Sequence, residues 1–350
     1  MKSSVRLSYI DASRGFAILL VVIGHVVQYI YKPNNFDSNI VFRMIYAFHM
    51  PLFFFLSGYV TRNNWTYIEF VQTTKKRILQ LLIPFIVWGI FMNLVRHDEP
   101  IYGFLIHPDH GLWFLFHLLL ITIYCNTISL VSDKFLIGGG KLKLIIVFTV
   151  GYIVLSKVCD WNVNDYGQIS MMKYYYPYYV SGLLLGDYKV KICNMRCTIY
   201  VGVIATLCFA FLSSMWYRVY NAIPTNENHY VYILNALLTF RYLTAFVGIM
   251  GVIALFSKMH ILGNSFLVLL GNCSLGIYAI HMVILYTMHR MHILESTGIS
   301  YSLEWGIIST ILLLAVTIVI VRQIRRNNYL SLMLIGDVNK SMISNEKLQH

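Results

Sequence analysis

The chain has 350 residues, 58% of them hydrophobic and only 12% charged, about half the charged fraction of an ordinary globular domain. Its net charge of +12 comes with no zinc-finger spacing, basic helix or aromatic RNA-binding motif, so no nucleic-acid partner is expected. Apolar runs of spanning length recur throughout, which implies an all-α fold, a polytopic transmembrane helix bundle.

The first span covers 10–30 within IDASRGFAILLVVIGHVVQYIY. It is long enough to cross a bilayer, yet it carries Asp11, Arg14 and His25. An ionisable side chain inside a span is expensive and points to function. Arg14 and His25 are eleven residues apart, roughly three turns plus 20°, so they share one helix face about 16 Å apart along the axis. Asp11 and Arg14, at i,i+3, are placed for a local ion pair, which leaves further Arg14 donors for a ligand. The short basic start resembles a signal peptide. The charged residues and the missing A-x-A cleavage pattern favour a retained helix.

The second span, 41–60, contains FHMPLFFFLSGY with His49 and Ser57. Lys75, Lys76 and Arg77 precede the third, 78–95, whose Pro84 is expected to kink it. That basic run reads either as flanking charge at the inner membrane face or as a phosphate clamp, for which the planar arginine fork is suited. The fourth span, 112–131, opens with GLWFLFHLL and places Trp113 and His117 near its start. The fifth and sixth, 142–156 and 172–186, are short, and the sixth carries five tyrosines around Pro177, a composition that favours the headgroup level. The seventh is 198–217. The eighth, 232–256, holds Arg241 near mid-membrane, where it needs a cavity or a partner. The ninth, 266–288, reads SLGIYAIHMVIL around His281, and the tenth is 304–322. No internal repeat is visible, which weakens an inverted-repeat transporter reading.

With the N-terminus inside, about ten spans put 18 Lys and Arg in inside segments and 7 outside, Arg14 and Arg241 within spans completing the 27. This asymmetry implies that both termini are cytoplasmic. The same orientation places His25, His49, His117 and His281 in the outer half of four spans. They can line one polar cavity, or be unrelated packing histidines. The polar segments 96–111 and 220–230 are candidate sugar-contacting loops. Three of the six cysteines, Cys125, Cys208 and Cys273, lie inside apolar runs, where cysteine behaves as a small hydrophobe. No Cys/His spacing suits zinc, so neither a metal nor a structural disulfide is expected.

Arg14-x10-His25, FHMPLFFFLSGY, KKR before LLIPF, GLWFL and SLGIYAIH, in this order from about Tyr9 to Leu285, resemble the acyltransferase family 3 membrane proteins. The resemblance is nearest to the fucose 4-O-acetylase-like sugar O-acetyltransferases. It implies an acyltransferase-3-like transmembrane domain over 1–322 and a short basic cytoplasmic tail over 323–350. It also implies a bacterial inner-membrane enzyme that moves acetyl from cytoplasmic acetyl-CoA to a sugar hydroxyl of a cell-surface polysaccharide such as O-antigen, or of its lipid-linked precursor.

Arg14 and His25 match the family's functional arginine and histidine. Arg14, Arg77, Lys76 and Lys75 are then expected to hold the CoA phosphates. His49, Ser57, Trp113, His117, Arg241 and His281 are expected to line the substrate cavity. The Arg14-to-His25 rise of about 16 Å is comparable with an extended pantetheine arm. His25 as general base on the sugar hydroxyl and His25 as acetyl-carrying nucleophile both remain open. The sequence departs from the family's R-x-x-R pattern before the third-span proline: Arg77 is retained, but Gln80 stands at the second position. The runner-up reading is a transporter or exporter of a glycan or small solute. A non-catalytic scaffold leaves Arg14, His25, Arg241 and His281 unexplained.

Overall fold

The structure is a computed structural model that describes residues 7–31, 39–61, 66–96, 102–108, 112–135, 140–216, 230–259, 265–291 and 303–338. Among these residues the fold is helical and contains no strand. In chain order the α-helices are α1 (Ser8–Val26), α2 (Ile40–Tyr59), α3 (Tyr67–Arg77), α4 (Ile83–Arg96), α5 (Gly103–Ile106), α6 (Trp113–Phe135), α7 (Gly140–Trp161), α8 (Ile169–Leu185), α9 (Lys189–Asn194), α10 (Thr198–Ser214), α11 (Tyr230–Lys258), α12 (Phe266–Asn272), α13 (Ser274–Arg290), α14 (Leu303–Ile324) and α15 (Asn328–Ile335). Two π-helical segments continue α1 and α3, at Val27–Tyr31 and Ile78–Leu82.

Among the described residues, seven helices are long and apolar enough to cross a membrane, or up to nine if each of two bent pairs is one span. The expected sixth and seventh spans form one pair, Tyr166–Asn194 with Thr198–Ser214, bent by 116°. The expected ninth is the other, Phe266–Asn272 with Ser274–Met288, bent by 79°. The helices α8 and α10 have 17 residues each, about 26 Å of rise against a hydrocarbon core of about 30 Å. A count of ten requires both to cross.

The described residues divide into two compact units. In the first, α1 packs along α11 and α12, and α10 along α11. Small residues set the spacing, as expected where lipid supplies no hydrophobic drive between helices. A Cβ on Gly15 of α1 would sit 1.8 Å from the Leu267 carbonyl oxygen, and one on Gly271 of α12 would sit 1.9 Å from that of Asp11. Phe48 stacks edge-on against Phe209 at 4.6 Å.

In the second unit, α6 packs against α7 and α8 and along α3 and α4. Tyrosines staple the layer: the Tyr124 hydroxyl donates to the Gly151 carbonyl at 2.8 Å and Tyr176 to that of Phe148 at 2.9 Å. Thr66 and Glu69 form a reciprocal capping box that starts α3.

The expected kink at Pro84 takes the form of the π-helical segment just before it. Proline has no N–H to donate to the carbonyl four residues back, here that of Gln80. The chain after α14 fills this place. Asn327 caps α15 through its side chain, and Gly336 ends it at φ +65°. A Cβ on Gly336 would lie 2.1 Å from the Gln80 carbonyl oxygen. The Trp88 indole donates to the Leu334 carbonyl at 2.8 Å, so the first half of the expected tail is folded against α4. Residues 339–350 lie outside the described residues.

Gly336→Ala is therefore expected to lower the unfolding temperature of the purified protein. The left-handed backbone alone costs an alanine about 1–2 kcal/mol, before any contact with Gln80. An unchanged melting temperature would contradict the docking of α15.

Candidate functional site

In the first unit the site begins at the start of α1. Asp11 is buried, and the expected ion pair is present, with Arg14 Nη1 3.6 Å from Asp11 Oδ1. A carboxylate in the first helical turn also suits the helix dipole. Arg14 keeps 30% of its side-chain surface exposed while paired to Asp11. Three helical turns on, His25 lies in the last turn of α1, directly before the π-helical Val27–Tyr31. Such wide turns are rare and are frequent at functional sites.

The ring of Tyr29 stands edge-on to His25 at 6.1 Å. Tyr46 of α2 packs over Gly24, donates its hydroxyl to Gln28 Oε1 at 2.6 Å, and meets the His49 ring edge-on at 4.9 Å. Tyr46 thus links His49 to Gly24 and Gln28, which flank His25 in sequence. Tyr46 and Gln28 carried no sequence motif. The only signal for Tyr46 was its place three residues before His49, on the same helix face.

His49 and His281 share a feature that fixes their tautomers. Each ring Nδ1 lies 2.7 Å from the carbonyl oxygen four residues earlier, Ile45 and Ile277 respectively. A carbonyl only accepts, so Nδ1 carries a proton in each. Arg241 of α11 has its guanidinium carbon 5.3 Å from the centre of the Trp216 ring. An aromatic face is therefore one of its partners, in a cation–π arrangement.

In the second unit, Lys75 and Lys76 are exposed and Arg77 is half-buried at the end of α3. Gln80, at the position of the family's second arginine, accepts from Arg77 Nη1 at 3.4 Å. The glutamine therefore orients the one arginine that remains. Thr61 Oγ1, bonded at 2.9 Å to the carbonyl of Ser57, lies 3.1 Å from the Tyr179 hydroxyl. A Cβ on Gly58 would sit 2.0 Å from the Tyr179 carbonyl oxygen, so the glycine of the second-span motif packs directly against the backbone of α8.

Trp113 stacks on Tyr175 at 5.4 Å and stands edge-on to His117. Both His117 nitrogens face main-chain carbonyls, Nδ1 that of Trp113 at 2.8 Å and Nε2 that of Gln168 at 3.0 Å. This histidine ties α6 to the turn before α8. His281 lies beside Tyr278, which meets Phe114 edge-on at 5.6 Å. Of the two candidate sugar-contacting loops, residues 97–101, 109–111 and 220–229 lie outside the described residues.

Two curated relatives match this chain. Nodulation protein NolL of Mesorhizobium japonicum is 26% identical over 188 residues, covering 51% of this chain and 47% of the relative. Nodulation protein NolL of Sinorhizobium fredii is 29% identical over 191 residues, covering 51% and 48%. The chain spans about half the length of these relatives. No solved structure matches it. The model of acyltransferase family 3, described as an acyltransferase domain, matches residues 7–322 and takes in Arg14, His25, Arg77 and His281 together, so the chain belongs to that family.

Proposed function

We propose that this protein is a membrane-bound O-acetyltransferase that moves an acetyl group from cytoplasmic acetyl-CoA to a sugar hydroxyl of a cell-surface polysaccharide or its lipid-linked precursor. It acts in the inner membrane of a bacterium, with about ten spans and both termini in the cytoplasm. The observation that carries this reading is the placing of Arg14 and His25 on one face of α1, three turns apart, within an acyltransferase domain.

In the reaction, His25 takes the proton of the acceptor hydroxyl as its oxygen attacks the thioester carbonyl. The carbon–sulfur bond breaks, the ester forms, and the proton is delivered to the departing CoA thiolate. A positioned histidine suits this work near neutral pH. Arg14 supplies a fixed positive charge at the other end of the helix face. The basic end of α3, Lys75, Lys76 and Arg77, supplies charge for the phosphates of CoA. The stacked Trp113 and Tyr175 offer an aromatic surface suited to a sugar ring.

The test is mass spectrometry of surface glycan from cells with and without the gene, together with the purified protein in vesicles given acetyl-CoA. One acetyl group gained on a defined sugar, matched by release of CoA thiol, is the expected result. Glycan of identical mass in both strains and no thiol release would sink the proposal. Arg77→Ala is expected to raise the KM for acetyl-CoA about tenfold, from loss of a charge-assisted contact, with little change in kcat. An unchanged KM would remove Arg77 from the donor site.

A further inference from the structure

Four side chains of the second unit stand out because nothing among the described residues uses their polarity. Asn126, Ser129 and Ser132 of α6 are 1%, 0% and 2% exposed. Both side-chain polar atoms of Asn126 and the hydroxyls of Ser129 and Ser132 have no hydrogen-bond partner among the described residues. The hydroxyl of Thr74, next to Lys75 on α3, is buried and unpartnered in the same way. Buried polar groups are ordinarily satisfied, and a helical serine has its own i−4 carbonyl within reach. Four exceptions in one neighbourhood call for a ligand.

The neighbourhood is set by helix register. The helices α3 and α6 pack on each other, and Phe85 stacks on Phe116 at 5.1 Å. From that stack Thr74 lies about 16 Å along one helix and Asn126 about 15 Å along the other. The two are therefore level, beside the Lys75–Arg77 turn. At about 100° per residue, Asn126, Ser129 and Ser132 fall within a 120° sector of α6 that also contains Thr122. Thr122 and Thr61 both bond the Tyr179 hydroxyl, on which the charge of Arg77 acts. Neutral donors and acceptors thus adjoin a cationic turn. The wall on the α3 side is the helix α3 itself, which has no buried residue and runs directly into the π-helical Ile78–Leu82.

We infer that the polar sector of α6 and Thr74 of α3 seat the phosphorylated nucleotide half of a coenzyme thioester. Asn126, Ser129, Ser132 and Thr74 hydrogen-bond its sugar and base, while Lys75, Lys76 and Arg77 take its phosphates. This deepens the acetyl-CoA reading and rests on it. Neutral groups here make up for the second arginine that Gln80 replaces.

The test uses full-length protein in detergent or nanodiscs, with CoA, adenosine 3′,5′-bisphosphate and pantetheine as probes. The variants are Asn126→Leu, Ser129→Ala and Thr74→Val, all close to the originals in shape. Each is expected to weaken binding of CoA and of the bisphosphate about tenfold, leave pantetheine binding unchanged, and leave the unliganded melting temperature equal or higher. Unchanged CoA and bisphosphate affinities in all three would overturn the inference. So would wild-type protein that binds CoA and pantetheine but not the bisphosphate, an outcome that leaves the acetyl-CoA reading standing. Wild-type protein that binds none of the three probes overturns that reading and the inference with it.

Discussion

His25→Ala is expected to reduce acyl transfer at least a hundredfold while the protein still inserts and accumulates as the wild type does. Removal of a general acid or base ordinarily costs about 10²- to 10⁴-fold in rate. Alanine is the best helix former, so the last turn of α1 persists. Its packing rests on buried neighbours such as Val21, Val22 and Val26. The loss should therefore fall on kcat, with the KM for acetyl-CoA nearly unchanged. Arg14→Ala should do the reverse, raising that KM.

The measurement is acetyl transfer by reconstituted protein across a range of donor concentrations, with abundance and melting temperature recorded for each variant. Wild-type turnover in His25→Ala would remove the residue from the chemistry. A trapped acetyl group on His25, released by acceptor, would assign it as nucleophile rather than base.

The parts of this fold legible in the sequence are those governed by short-range periodicity. The apolar run of α1, its Asp11–Arg14 pair and the shared face of Arg14 and His25 follow from residue spacing alone. Three features needed the structure. The 79° break between α12 and α13 falls within LVLLGNCSLGIY, with no proline to announce it. The π-helical turn after His25 has no sequence signature, since VQYIY carries neither proline nor glycine. The Trp216 partner of Arg241 lies 25 residues away in sequence, beyond any local pairing rule. Pro84 was legible as a disturbance. That a glycine 252 positions later in the chain would pack against the Gln80 carbonyl was not.

Gly271→Ala is expected to cost more activity than its distance from His25 suggests, because it acts on the other end of α1. A Cβ there would lie 1.9 Å from the Asp11 carbonyl oxygen, and the reciprocal Gly15→Ala would put one 1.8 Å from that of Leu267. In both cases the obstacle is backbone, not a side chain able to swing away. The helices α1 and α12 must then separate, and small-to-large changes in a tight interface cost about 1–3 kcal/mol. Asp11 is held at that crossing and stands 3.6 Å from Arg14, so the displacement carries the ion pair with it. Either variant should lower the melting temperature and raise the KM for acetyl-CoA in parallel with Arg14→Ala. Since one separation accommodates both methyl groups, Gly15→Ala and Gly271→Ala together should cost less than the sum of the single changes, the non-additivity expected of sites in contact. Strict additivity, or a Gly271→Ala protein with wild-type KM and stability, would mean that α12 does not position Arg14.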